Sequence, residues 1–365
     1  MRFLNSKSRK SVFCGCVLPD VVVYYDNFPT EEFSMARVST GKLTGEYMKN
    51  KTRIEKKTPS FQIINDFADE DGNSLKPKGF WCINENEIPI YRIDSFHLLT
   101  QFVGYAKYKN RSVGGVYLRG QTSLYEYENN EGKIKAKLSP SCFRGEYAST
   151  ETRISKITEK LHAILSTHKG LNEYPDDIAF PLLQHYGMQT YWLDIVDNLW
   201  VALWFALHDF KTKIIEGRQL CHIQETENSN IYILLLCSDA YRIKKFHRKN
   251  IPGVHYGNKT VLVDLRRALP SIYLRPHAQH ALMLRKGKVH SCTDYSDLIV
   301  GVVELSKKNA CSWIGHTGLL SAQSLFPSQY FDSGYARMLQ FLGKTTLTEI
   351  KDYGSIQHIT IDYFS

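Results

Sequence analysis

The segment PLLQHYGMQTYWLDIVDNLWVALWFALHDF, Pro181 to Phe210, changes character halfway along. Its first half gathers groups able to do chemistry: Gln184, His185, Thr190, Tyr191 and Asp194. Its second half predicts a largely buried helix. Asp197 or Asn198 can cap the first turn, and Leu199, Trp200, Leu203, Phe205, Ala206 and Leu207 put apolar surface on more than one side. A polar cluster seated on a buried helix holds side chains rigidly. A loop with a helix cap and one satisfied histidine explains the same letters.

Just upstream, STETRISKITEKLHAILSTH predicts an amphipathic helix. Ser149 or Thr150 caps it, and Ile154, Ile157, Leu161, Ile164 and Leu165 form one stripe. Earlier still, SFHLLTQFVGYAKY spaces Phe96, Leu99, Phe102, Val103 and Ala106 as a helix started by Asp94 or Ser95. GGVYLRGQTS predicts a strand at Val116 to Leu118. Downstream, IYILLLC, TVLVDL and DLIVGVVEL predict strands apolar enough for burial on at least one face. Helices in the middle and strands in the second half, without regular βαβ alternation, give an α+β class with a central mixed or antiparallel sheet flanked by helices. Residues 1–85 lack a strong period, although VVVYY and FQII each read as a short strand. They are expected to form an N-terminal extension or small arm, with residues 86–345 as the main domain and 346–365 as a C-terminal strand or tail.

A hydrophobic share of 43% with 12% aromatics argues for a folded chain against global disorder. No apolar run approaches the roughly 18 residues of a membrane span, so no membrane is expected. The basic, then apolar start is broken by Gly15, Pro19 and Asp20 and reads as a strand rather than a targeting signal. Among the eight cysteines only Cys14 and Cys16 lie close together, without a zinc spacing. No metal site is expected, and a reducing cytoplasm is the simplest compartment. The formal charge of +9 favours anionic partners. Basic residues gather in Lys42 to Lys57 and in YRIKKFHRKN, Tyr241 to Asn250. DNA or RNA, a nucleotide phosphate and a merely solvated surface all fit that pattern.

Arg119 ends the GGVYL strand beside Gly120, with Gln121 and Thr122 following. A guanidinium there can hold a phosphate, because it offers a fixed fork of donors and glycine lets a ligand near the backbone. Pairing with an internal carboxylate is the alternative. SCFRG repeats the pairing at Arg144 and Gly145. His185 can be a general base, a donor to a ribose hydroxyl or a structural histidine. Asp194 follows an apolar triplet, where a carboxylate needs partners. It can orient His185 or Arg119, or cap the next helix. LRPHAQHALMLRKG adds Arg275, His277, Gln279, His280 and Arg285. GxxxxGK[ST], GxGxxG and GxSxG are absent from the chain.

In these residues the chain resembles the FRG domain family. YLRGQ (Tyr117 to Gln121) and SPSCFRG (Ser139 to Gly145) are similar to its aromatic-Arg-Gly signatures. Gln184, His185, Gly187, Thr190, Leu193 and Asp194 match its Gln-His-x-Gly-x-x-Thr-x-x-Leu-Asp segment. Gln189 and Tyr191 depart from the family's Pro and Arg there. Gln279 lies in a segment resembling Gln-x-Gly-x-Phe, with Ala281 and Met283 in place of the Gly and the aromatic. SLFPSQYFDSGYARML resembles the closing Phe-Pro motif. A weaker similarity links the Arg-Gly strand end and the Thr segment to arginine-type ADP-ribosyltransferases.

That similarity implies an ADP-ribosyltransferase-like fold and transfer of ADP-ribose from NAD, as co-substrate, to a protein or nucleic-acid acceptor in a toxin or phage-defence role. Arg119 would bind the diphosphate or ribose, His185 would bond near the nicotinamide ribose, and Tyr191 would stack on the ring. Gly120, Gln121, Arg144 and Thr190 complete the NAD-contacting set. Asp194, with Glu304 as its rival, would stabilise the oxocarbenium-like state, and Gln279 takes the late motif position. A nucleic-acid-binding or metal-independent nuclease with His185 as base, and a non-catalytic interaction module, remain as alternatives. The sequence carries no signal for oligomeric state.

Overall fold

The computed structural model describes residues 60–361 apart from 69–71, 73, 84–85, 129–133, 145–148, 169, 241–250, 288–292, 316–317 and 342–345. Strands β1 (Gly79–Ile83) and β2 (Asn86–Arg92) lead to helix α1 (Phe96–Asn110) and strand β3 (Gly115–Gln121). A small ribbon, β4 (Glu126–Glu128) with β5 (Ile134–Ala136), precedes helices α2 (Thr150–Thr167) and α3 (Asp176–His185). Next come β6 (Leu193–Val196), α4 (Leu199–Leu207), β7 (His208–Ile215), β8 (Arg218–Glu225) and β9 (Asn230–Ser238). Strands β10 (Val254–Tyr256), β11 (Thr260–Asp264) and β12 (Ala281–Lys286) enclose the short helices α5 (Leu265–Ala268) and α6 (Leu274–Ala278). The remainder is β13 (Ile299–Ser306), α7 (Lys307–Ile314), α8 (Ala322–Leu325), α9 (Ser333–Phe341), α10 (Leu347–Tyr353) and β14 (His358–Ile361).

Local chemistry sets these boundaries. The Ser149 hydroxyl accepts from the Thr152 amide at the start of α2, and the Asn198 side chain accepts from the amides of Trp200 and Val201 at the start of α4. Each such cap contributes about 1 kcal/mol. Ser95 occupies the cap position of α1 without a side-chain bond. The β7–β8 hairpin turns through Glu216 and Gly217, both at positive φ (50° and 74°), as a two-residue turn of matching twist requires.

Nine strands form one mixed sheet in the order β1-β2-β13-β9-β3-β6-β12-β11-β10. Only β2 and β13 run parallel; the other neighbours are antiparallel. This is an α+β fold with a mixed central sheet flanked by helices. Ile231, Ile233, Leu235 and Cys237 of β9 join a core with α1 and α4, while Leu234 and Leu236 join Trp81, Ile88 and Tyr295 in another. Burial on both faces is why IYILLLC is uninterruptedly apolar. A third core packs α2 and α3 against β11 and β12. None of the described helices is long and apolar enough to cross a membrane.

The expected boundary at residues 85 and 86 falls between the paired strands β1 and β2. The compact unit begins at Thr58, and Ile64 is fully buried, its amide donating to the Val300 carbonyl. FQII is therefore irregular chain tied to the core, not a strand. At the other end β14 pairs in parallel with β8 in a second, three-stranded sheet. VVVYY, Cys14, Cys16 and both basic stretches lie outside the described residues.

Helix α4 lies against β3 at Gly120. A Cβ on that residue would meet the Ala202 carbonyl oxygen at 1.9 Å and the Ala206 nitrogen at 2.6 Å, both backbone atoms. We predict that Gly120→Ala destabilises the protein by at least about 2 kcal/mol through forced displacement of α4. A denaturant midpoint equal to wild type would show that the helix shifts at no cost.

Candidate active site

Strands β3 and β6 are neighbours in the sheet, and both line a cavity of about 560 Å³. That volume falls in the range that encloses small ligands. Arg119, Gly120 and Gln121 enter from β3, Asp194 from β6, His185 from the last position of α3, and Arg144 and Gln279 from loop and helix ends.

Gln184 joins these elements. Its Oε1 accepts from the Thr190 hydroxyl, while its Nε2 donates to the Trp192 carbonyl at 2.8 Å and to Asp194 Oδ2 at 2.9 Å. Thr190 Oγ1 in turn accepts from the Trp192 amide at 3.1 Å. His185 Nδ1 stands 3.6 Å from Asp194 Oδ1, and its Nε2 is buried with no partner among the described residues. The His185 side chain is 5% exposed and that of Asp194 50%, so the carboxylate is half-open and the imidazole is almost enclosed. Enclosure by protein raises the Asp194 carboxyl. The nearby His185 imidazole, the Arg119 charge and the Gln184 amide outweigh it, and the group is held below its ordinary value.

The Arg119 Nη1 donates to the Asp194 carbonyl oxygen at 2.6 Å, and its Nε is buried without a partner. Burial and the nearby positive charge of Arg144 push this guanidinium down to about 10, with Asp194 offsetting only part. Arg144 is exposed and donates from Nε to the Ser139 carbonyl at 3.2 Å. Arg119 and Arg144 repel one another, a pairing that a shared anion would relieve. Gln121 lines the cavity as well, and its Oε1 is a buried acceptor without a donor among the described residues. Gln279 is pinned by an Nε2 bond to the Leu325 carbonyl at 2.7 Å.

Three expected contacts lie elsewhere. Thr190 is fully buried and serves Gln184, so it is a strut and does not line the cavity. Tyr191 packs edge-on to Phe180 and stacks on Trp192 outside the cavity lining, which removes it as a platform for a ligand ring there. Glu304 also lies outside the lining. Its Oε1 accepts from Lys78 at 2.7 Å and Arg92 at 2.8 Å, and its Oε2 accepts from Tyr232 at 3.3 Å. Burial raises that carboxyl, but Lys78 and Arg92 prevail and hold it low. These partners come from the β1–β2 side of the sheet, which no local pattern around VVEL reveals.

The cavity also contains residues that the sequence reading did not assign to a site. Phe205, Phe210 and Phe326 contact one another at centroid distances of 5.7 to 6.1 Å and give it an aromatic wall. His208 and Lys211 line it as well. The available signal was WFALHDF, where polar residues follow the buried helix without a loop.

The sequence profile of the FRG domain matches residues 127–213. That stretch contains Arg144 and the Gln184-to-Asp194 segment; Arg119, Gln279 and Glu304 lie beyond it. No curated protein and no solved structure matches the chain.

The Asp194 shift fixes a pH dependence. A carboxyl with a folded value below its unfolded value of about 3.9 adds stability above about pH 4 and loses it as pH falls through the folded value. We predict that the wild-type advantage over Asp194→Asn in urea midpoint shrinks between about pH 6 and about pH 2.5. A difference constant across that range would contradict this environment for Asp194.

Proposed function

We propose that this cavity binds NAD and cleaves its nicotinamide–ribose bond, passing ADP-ribose to an acceptor. The observation that carries the reading is the joint lining of one nucleotide-sized cavity by Arg119, Arg144, a half-open Asp194 and an aromatic wall. The guanidinium groups would take the diphosphate, and the aromatic wall would hold a ring. As the C1′–N bond breaks, its electron pair moves onto the pyridinium nitrogen and nicotinamide leaves neutral, without a proton. Positive charge then develops at the ribose carbon, where a preorganised carboxylate is most useful. Asp194 is the group offered for that role, and His185 holds it.

An ADP-ribosyltransferase-like frame, and use in a toxin or in defence against phage, belong to the same proposal. A protein or nucleic-acid acceptor would supply the nucleophile. The metal-independent nuclease reading has less support, because it needs an open nitrogen on His185. One of its nitrogens faces Asp194 and the other is sealed.

The test is nicotinamide release from NAD in the presence of protein, DNA and RNA acceptors. Asp194→Asn should slow release by about 100-fold or more, and Arg119→Ala should abolish turnover with melting behaviour retained. Absence of release by wild-type protein with every acceptor would overturn the reading, as would unchanged rates in both variants.

A further inference from the structure

His208 lines the same cavity, at the junction where α4 passes directly into β7. Its ring lies on Trp204, centroids 3.9 Å apart and planes 18° from parallel. Its Nδ1 is 2.7 Å from the Trp204 carbonyl oxygen. A carbonyl only accepts, so Nδ1 carries the hydrogen, and in the neutral ring Nε2 carries the lone pair. Among the described residues Nε2 has no hydrogen-bond partner, and His208 is half-buried whereas the His185 side chain is enclosed.

From this geometry we infer that His208 Nε2 is the general base that activates a hydroxyl-bearing acceptor, water included, in the cavity. The inference rests on the cleavage proposed above and adds the acceptor half of the reaction. The acceptor's O–H bond breaks and its oxygen electron pair forms the new bond to the ribose C1′. The proton passes to Nε2, giving an imidazolium that returns it to solvent.

The surroundings favour a neutral ring. Burial lowers His208 below its ordinary value, against the opposing pull of the Trp204 carbonyl. The charged groups nearby are Glu225, its cross-strand partner on β8, Asp209 beside it, and Lys307 of α7, whose Nζ is 3.3 Å from Glu225. Glu225 and Asp209 favour the imidazolium and Lys307 opposes it, and burial outweighs their balance. A histidine that merely capped the end of α4 with its charge would show the opposite direction.

The test compares wild type with His208→Gln in ADP-ribosyl transfer to water and to hydroxyl acceptors across about pH 5 to about pH 8. The wild-type rate should rise through an acidic limb below the ordinary imidazole range, then level. The variant should lose that limb and about 100-fold in rate, with KM for NAD within about twofold and partial rescue by added imidazole. Nitrogen NMR of the wild-type imidazole gives a check that requires no variant. It should show the Nδ1–H tautomer titrating with the rate limb. A variant rate and profile equal to wild type, or an NMR titration that departs from the limb, would overturn the role of His208 while leaving cleavage standing. Absence of nicotinamide release by wild type would remove the cleavage reading and this inference with it.

Discussion

One side-chain amide holds the site together. Gln184 uses its oxygen on the Thr190 hydroxyl and its nitrogen on both the Trp192 carbonyl and the Asp194 carboxylate. The end of α3, the loop after it and β6 are thereby locked in one arrangement. Glutamate could not take this place, since it would set a second negative charge against Asp194 and lose both donors. Asparagine would be a methylene too short to span them. A half-buried carboxylate is steadied by hydrogen bonds to it, and solvent on its open side reduces what each bond contributes. The Gln-to-Asp spacing is thus a requirement for holding one negative charge in a fixed direction.

The close approach of α4 at Gly120 supplies the complementary constraint. Ala202 and Ala206 backbone press against β3 at Gly120; the adjacent Arg119 points to the other face of the strand, where burial lowers its guanidinium. Among the described residues its guanidinium donates to a carbonyl oxygen, at 2.6 Å, and feels the charge of a second arginine. An arginine paired with a carboxylate would be pushed the other way, as Arg266 is by Asp264 and Asp197. The contrast separates an arginine that closes an internal carboxylate pair from one that does not.

The parts legible in the sequence were those governed by local rules. The β9 and β13 strands were marked by continuous apolar runs because both faces are covered, and α2 by its stripe and its serine cap. Asn198 is the cap that the residue pair at 197 and 198 left open. Of the candidate residues, Arg119, Arg144, His185, Asp194 and Gln279 line one cavity. Tyr191 and Glu304 were misplaced for the same reason: their surroundings are made by Phe180 in one case and by Lys78 and Arg92 in the other, contacts formed only when distant segments meet. His208 was unassigned because its tautomer depends on the Trp204 carbonyl.

The two imidazoles of the cavity make the sharpest physical contrast. His185 directs Nδ1 at a carboxylate and buries Nε2, so neither nitrogen can exchange a proton with a ligand; what it can do is steady Asp194. His208 ties Nδ1 to a neutral carbonyl, which orients the ring without charging it and keeps the lone pair on the other edge. A cleavage that needs negative charge at one point and a proton acceptor at another calls for this separation. If one histidine did both, the imidazolium formed on taking the acceptor's proton would oppose the positive charge developing on the sugar. In the proposed cleavage, dividing the duties would let Asp194 keep its charge throughout, with proton transfer at the ring next to the aromatic wall.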